Sequence, residues 1–118
     1  MAADVSLRAE LGLREGESLL LAGSTHAGEE EALVTAYRQI VVTHPNAVLM
    51  LAPRHIERVA DVVTMIQAAG LPVLRKSRLD SVGSGPRVII LDTRGELARA
   101  YHEATAAFVG GTLVPVGG

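Results

Sequence analysis

The stretch Ser18-Leu19-Leu20-Leu21-Ala22-Gly23-Ser24-Thr25-His26 decides the fold, because an apolar run passes there directly into a polar turn. Residues 18–22 offer apolar side chains to both faces, which predicts a strand buried between two layers. Residues 28–42 follow with apolar side chains at helical spacing and predict an amphipathic helix. A buried strand that leads into such a helix is typical of α/β domains with a parallel sheet.

The same alternation continues along the rest of the chain. We predict further strands over 47–51, 72–75, 87–91 and 106–109, and further helices over 56–69 and 95–103. Right-handed crossovers between parallel strands then produce a Rossmann-like, doubly wound α/β fold with helices on both faces of the sheet. The predicted sheet has five strands in the order 3-2-1-4-5.

Composition limits the class of protein. The chain has 118 residues, enough for one domain with a substantial core. Only 3% of the residues are aromatic, so Leu, Val, Ile and Ala must fill that core. The net charge of −2 gives no general attraction to nucleic acid or to an anionic membrane. The absence of cysteine excludes disulfides and thiol chemistry, and no apolar run reaches membrane-spanning length.

Polar and glycine residues collect where the predicted strands end, which is the edge at which parallel sheets bind ligands. The first such loop holds Gly23, Ser24 and Thr25, and glutamates follow at 29–31. It contains neither a Walker P-loop nor a Gly-x-Gly-x-x-Gly motif. Contact of this turn with a ligand or a partner domain and capping of the next helix by Ser24 or Thr25 are equally supported alternatives. We assign the glutamates to the helix start, because three carboxylates there would repel a phosphate.

The loop after the second strand, Pro53-Arg54-His55, brings a positive charge to the same edge. The Arg54 guanidinium can bind a phosphate or a carboxylate through two parallel hydrogen bonds. The alternative is a surface arginine that pairs with Glu57 or with another exposed acidic residue, and on the bare sequence it is the more common case. The position at the mouth of the sheet makes the ligand interpretation a serious competitor. His55 has the simpler alternative of capping the next helix.

Two later loops carry the same kind of signal. Arg94-Gly95-Glu96 follows the fourth strand, and free amides at a helix start beside a glycine suit a nucleotide. Capping of that helix by Asp92 or Thr93 is the alternative, and both interpretations can hold together. Gly110-Gly111-Thr112 follows the fifth strand, and its paired glycines let the backbone approach a ligand closely.

Other kinds of chemistry receive no support. The histidines lack metal-ligand spacing, so we predict no metal. We also predict no cofactor. No Ser-His-Asp arrangement is legible, and we assign no catalytic residue. The basic cluster 75–78 is short and lacks aromatic residues, which favours a solvated loop over a nucleic-acid site. The four histidines are His26, His44, His55 and His102.

Four segments in this order make the chain resemble the 3-deoxy-D-manno-octulosonic acid (Kdo) transferases. The segments are 22–26 with 28–30, 53–55 with 57–58, 92–97, and 107–114 with 117–118. The resemblance spans nearly the whole chain. It implies a GT-B glycosyltransferase, in which donor and acceptor meet between two Rossmann-like domains. We expect residues 1–118 to be a single incomplete CMP-sugar-binding domain, the C-terminal half of such an enzyme, with the N-terminal acceptor domain and the C-terminal helices absent.

The resemblance also implies the ligands. The donor of the family is CMP-Kdo, and the acceptor is a lipid A precursor that binds through the N-terminal domain. By similarity, Pro53, Arg54 and the turn 94–96 contact CMP, although the family often has methionine or another apolar residue where Arg94 stands. Thr112 stands where serine is common. The expected donor-binding residues, drawn from all four strand-end loops, are Gly23, Ser24, Thr25, Pro53, Arg54, Arg94, Gly95, Glu96, Gly110, Gly111 and Thr112.

The leading hypothesis is a CMP-Kdo binding domain whose parent enzyme adds Kdo to a lipid A precursor in lipopolysaccharide core synthesis. We expect the parent at the cytoplasmic side of the bacterial inner membrane, and the fragment itself to be soluble and inactive. Apolar surface that later helices would cover predicts a homo-oligomer. The alternatives are a self-contained Rossmann-like binding or interaction module, another GT-B glycosyltransferase, or a nucleotide-sugar epimerase.

Overall fold

The computed structural model describes residues 7–79, 85–93 and 95–109, in which strands and helices alternate as the sequence predicts from residue 18 onwards, while a short first helix was not predicted. Two single 3₁₀ turns, Ile56–Arg58 and Lys76–Arg78, supplement the regular elements. The strands are β1 (Ser18–Thr25), β2 (Ala47–Pro53), β3 (Val73–Arg75), β4 (Val88–Ile90) and β5 (Ala106–Val109). The helices are α1 (Leu7–Glu10), α2 (Glu29–Thr43), α3 (Val59–Ala68) and α4 (Leu97–Glu103).

The five strands form one parallel sheet, which confirms the Rossmann-like α/β fold, but their order is β3-β4-β2-β1-β5. The predicted order 3-2-1-4-5 is therefore wrong. β4 lies between β2 and β3, and β5 pairs with β1 instead. Burial explains the arrangement: every residue of β4 is buried, as an interior strand requires, whereas β3 is only half-buried and forms the edge.

Alternate residues of the central strands supply two aliphatic cores, one on each face of the sheet. On one face, α2 and α3 cover Leu49, Leu51 and Ile90. On the other face, α1 and α4 cover Leu19, Met50 and other apolar side chains of the same strands. Both layers are built almost entirely from Leu, Val, Ile and Ala, as the scarcity of aromatic residues predicts.

A buried ion pair joins the amino ends of the central strands. Arg87, only 1% exposed, directly precedes β4, and both of its terminal nitrogens donate to the carboxylate of Glu17, at 2.9 Å each. The Arg87 backbone N–H donates to the Tyr37 hydroxyl at 3.0 Å, and that hydroxyl donates to the carbonyl of Ala47 at 2.6 Å. The hydrogen bonds from Arg87 lower the pKa of the Glu17 carboxyl, while burial raises the pKa of Tyr37. The network ties α2, β1, β2 and β4 together at one edge.

Within the described part of the chain, no helix combines the length and the apolar character needed to span a membrane.

Candidate functional site

A cleft of about 420 Å³ opens at the carboxyl ends of β1, β2 and β4. This is the edge at which parallel α/β sheets bind ligands. Backbone and side chains from each of the first three predicted loops contribute to the cleft, together with apolar residues from the ends of β2 and β4 and the starts of α3 and α4. The lining residues are Ser24, Ala52, Pro53, Arg54, His55, Ile56, Glu57, Val59, Leu91, Thr93, Gly95 and Leu97.

Arg54 lies in the cleft as an exposed cation. Its backbone N–H donates to the carbonyl of Thr25 at 2.8 Å, which fixes the end of β2 against the end of β1. Its guanidinium forms no ion pair with any of the described residues, so the predicted alternative of a pair with Glu57 is wrong. The Glu57 carboxylate lies 3.8 Å from Nδ1 of His55 instead. The guanidinium is therefore available to an anion.

Only Ser24 of the three predicted residues in the first loop lines the cleft. Its φ of 55° is the one positive value among the described residues other than glycine, and it falls where the β1–β2 register shifts. The bulge turns the Ser24 backbone out of the strand pairing and towards the cleft. Strained backbone of this kind is concentrated at functional sites, which supports the predicted role of Ser24.

Gly23 and Thr25 have packing roles that the sequence did not indicate. A Cβ atom on Gly23 would overlap the Tyr101 hydroxyl of α4, so the glycine allows this helix to approach β1. Thr25 is fully buried, and its hydroxyl donates to the Glu30 carboxylate at 2.7 Å. Glu30 in turn accepts a hydrogen bond from Arg58 at 2.7 Å. The binding roles of Gly23 and Thr25 stay predictions, although neither residue lines the cleft.

The helix caps predicted at the first loop are also different in the structure. Ser24 and Thr25 belong to β1, and Gly28 occupies the N-cap of α2 without a side-chain cap. The glutamates lie at the helix start as predicted, and two of them, Glu29 and Glu30, accept hydrogen bonds from residues that precede the helix. Glu29, for example, accepts from the His26 backbone N–H at 2.9 Å.

Gly95 reaches the cleft, whereas the side chain of Glu96 turns to an ion cluster. The Glu96 carboxylate lies 3.0 Å from Arg99 and 3.6 Å from Lys76, and it accepts a hydrogen bond from Thr93. The binding role of Glu96 stays a prediction. Because the side chain is held in the ion cluster, any contact of Glu96 with a ligand must come from its backbone. Glu96 itself occupies the N-cap of α4, so the predicted cap by Asp92 or Thr93 is wrong. The Asp92 carboxylate accepts from Ser77 instead, at 2.8 Å from the backbone nitrogen.

Four of the predicted binding residues lie outside the described residues, namely Arg94, Gly110, Gly111 and Thr112. Their roles stay predictions. In the described ranges 7–79, 85–93 and 95–109, no three His, Asp or Glu side chains are grouped as a metal site would require.

The sequence did not indicate the apolar wall of the cleft or the contact between the rings of His55 and His26. Ile56, Val59 and Leu97 form the wall, but at helical spacing they are indistinguishable from residues of a core stripe. His55 precedes the first 3₁₀ turn without capping it through its side chain, and its ring lies edge-on to that of His26. The two histidines are far apart in the sequence, so only the fold reveals that their rings are neighbours.

No protein-family model matches the chain. It is 34% identical over 105 residues to a 3-deoxy-D-manno-octulosonic acid transferase of Haemophilus influenzae, covering 89% of this chain and 25% of that protein. It is 32% identical over 107 residues to the transferase of the same name from Aquifex aeolicus, covering 91% of this chain and 29% of that protein. The chain thus spans roughly a quarter of the length of these relatives.

A solved structure matches as well. The C-terminal CMP-Kdo binding domain of WaaA from Acinetobacter baumannii aligns with a TM-score of 0.80 and 30% identity, over 92% of this chain and 55% of that one. The fold and the cleft define a Rossmann-like α/β domain with its candidate ligand site at the carboxyl edge of the sheet. The chain is a homologue of the C-terminal domain of the Kdo transferases, as the four sequence segments indicated.

Proposed function

We propose that this chain is the donor-binding domain of a Kdo transferase and that it binds CMP-Kdo in the cleft at the carboxyl ends of β1, β2 and β4. The observation that carries the proposal is the exposed guanidinium of Arg54 in that cleft, which forms no ion pair with the residues that the structure describes. Homology to a domain whose solved relative is described as CMP-Kdo binding supports this ligand over other anions.

The chemistry of the cleft fits a nucleotide joined to an acidic sugar. Arg54 can hold the phosphate through two parallel hydrogen bonds, and the strained backbone at Ser24 and the glycine at Gly95 allow close approach. The apolar wall of Ile56, Val59 and Leu97 suits the nucleoside. We further propose that Arg94 and the segment 110–112 complete the site.

The activity of the parent is part of the same proposal. It transfers Kdo from CMP-Kdo to a lipid A precursor in lipopolysaccharide core synthesis, at the cytoplasmic side of the inner membrane. The acceptor binds through an N-terminal domain, so this domain alone is inactive. The names of the relatives support the transfer reaction. This chain spans only about a quarter of their length, which supports donor binding by this domain and acceptor binding by another part of the parent.

The test of donor binding is a calorimetric titration of the 118-residue chain with CMP, for the wild type and for Arg54→Ala. Loss of a charge-assisted contact to phosphate weakens binding about tenfold or more. Arg38→Ala is the matched control, because it removes an exposed arginine from α2, away from the cleft, and should bind as the wild type does. Equal binding by the wild type and Arg54→Ala would remove Arg54 from the site.

The test of the parent activity is a transfer assay with the full-length protein, CMP-Kdo and a lipid A precursor. We expect transfer by the full-length protein and none by the 118-residue chain. Full-length protein that is folded and binds CMP, yet transfers no sugar, would contradict the proposed reaction while leaving donor binding intact.

We also propose that the chain associates with a second copy through an apolar groove between α2 and β5. Leu20, Ile40 and Phe108 line it, and Ala106 and Ala107 of β5 are exposed beside it. β5 pairs with β1 along one side only in the described sheet, so its other edge can accept a strand. Light scattering after size exclusion should give a dimer at high concentration. A monomer at every concentration would contradict the association.

A further inference from the structure

Two histidines stand together at the mouth of the cleft. The rings of His26, just after β1, and His55, just after β2, have centroids 6.4 Å apart and an interplanar angle of 77°. His55 lines the cleft, and the side chains of the two residues are 57% and 24% exposed for His55 and His26, respectively. Both imidazoles can therefore reach a ligand.

Buried carboxylate contacts orient the His26 ring. The fully buried Glu29 carboxylate accepts from the His26 backbone N–H at 2.9 Å, and the same oxygen lies 3.2 Å from Nδ1 of the ring. A carboxylate at Nδ1 favours the proton there and leaves Nε2, on the far side of the ring, for another partner. His55 has a similar neighbour, since Glu57 lies 3.8 Å from its Nδ1.

Protonation of this pair adds two positive charges at the mouth of the cleft. Among the described residues, the charged groups around the pair are the guanidinium groups of Arg54 and Arg58 and three carboxylates. The carboxylates belong to Glu29, Glu30 and Glu57, and α4 contributes no charged residue to the cleft lining. Protonation of both imidazoles offsets the charge of two of these three carboxylates.

We infer that His26 and His55 form a second anion subsite, which binds the carboxylate of the donor sugar while Arg54 binds the phosphate. The inference rests on the proposed function, since it is the donor that supplies two anionic groups. Arg54 and His55 are consecutive, so their Cα atoms lie about 3.8 Å apart and one bound molecule can span both. The subsite would distinguish an acidic sugar nucleotide from the free nucleotide.

The experiment titrates the 118-residue chain with CMP-Kdo and with CMP at about pH 6 and about pH 8, on either side of the range in which histidine changes charge. The phosphodiester and the carboxylate of CMP-Kdo stay ionised throughout, so a change in its affinity reports on the protein. We expect wild-type affinity for CMP-Kdo to fall about fivefold or more between the two pH values. The double variant His26→Gln with His55→Gln should bind CMP-Kdo weakly at both, and its loss of affinity should be larger for CMP-Kdo than for CMP.

Three variants keep the test decisive. His55→Lys places a fixed charge at the exposed position and should preserve CMP-Kdo binding at about pH 8. His55→Gln alone leaves the contact between His26 and Glu29 intact and should lose part of the pH dependence of CMP-Kdo affinity. This single variant keeps the subsite testable if the double variant does not fold. His102→Gln, on the exposed side of α4, is the matched control and should behave as the wild type.

The subsite would be overturned if the His55→Gln variant and the double variant both bound CMP-Kdo with wild-type affinity at both pH values. That result would leave the proposed function standing. Failure of the wild type to bind either CMP or CMP-Kdo would overturn the proposed function and the subsite with it.

Discussion

An arginine at the amino ends of the strands and another at their carboxyl ends lie in opposite environments. We call these two ends of the sheet the amino edge and the carboxyl edge. At the amino edge, Arg87 is buried and its charge is matched by Glu17. At the carboxyl edge, Arg54 is exposed and forms no ion pair with any described residue. A buried charge needs a partner of opposite charge inside the protein, whereas an exposed charge is solvated by water and stays available to a ligand. The first edge therefore holds the strands together, and the second is free to bind.

The largest expected effect is on the amino edge. Arg87→Ala leaves the Glu17 carboxylate buried without its cation and should lower the free energy of unfolding by about 3–5 kcal/mol. Urea denaturation monitored by circular dichroism measures the change. The double variant Arg87→Met with Glu17→Leu should lose much less, because no charge remains buried. A loss below about 1 kcal/mol in Arg87→Ala would show that the pair does not stabilise the sheet.

The next effect concerns the packing beneath the cleft. Gly23→Ala places a methyl group against the Tyr101 hydroxyl, with Cζ only 2.9 Å away, and should cost about 1–3 kcal/mol of stability. The φ of Gly23 lies outside the left-handed region, so the cost is steric. The double variant Gly23→Ala with Tyr101→Leu should recover part of the loss in the same denaturation assay. Full stability of Gly23→Ala alone would contradict the close packing of α4 on β1.

The amino edge should also make the stability of the fold depend on pH, through Glu17. The pKa of Glu17 is lowered by its hydrogen bonds to Arg87, so the folded state holds the carboxylate ionised more firmly than the unfolded state. This contribution is present above the usual glutamate pKa of about 4.3 and is lost as the pH falls through the lower folded value. Thermal melts from about pH 7 down to about pH 3 should therefore show a steep fall that Glu17→Gln flattens. Parallel curves for both proteins would contradict the assignment.

The smallest expected effect on stability is at the carboxyl edge. Arg54→Ala should change the free energy of unfolding by less than about 0.5 kcal/mol, because the side chain is exposed and its backbone hydrogen bond to Thr25 remains. The same variant loses CMP affinity in the proposal above. A loss of stability as large as that of Arg87→Ala would mean that Arg54 is structural, and the contrast between the edges would disappear.

Local pattern was enough to locate most elements and the binding edge. The apolar run of β1 and the helical spacing of α2 predict both elements to within a few residues, because side-chain periodicity reflects which faces are covered. The cleft brings together Ser24, Arg54 and Gly95, since the ends of parallel strands meet at one edge. Strand order was predicted wrongly, because a short buried strand such as β4 fits several interior positions equally well.

The sequence by itself determined the α/β class, the aliphatic core and the edge at which polar loops gather, because each follows from the local alternation of apolar and polar residues. Its four segments also identified the relatives. Only the tertiary structure decided which side chains of the predicted binding loops form contacts within the protein instead of lining the cleft. It buries Thr25 on Glu30, turns Glu96 away to Arg99 and Lys76, and joins Arg87 to Glu17. The contacts of Lys76 with Glu96 and of Arg87 with Glu17 join elements far apart in the chain, and no periodicity along the sequence records them.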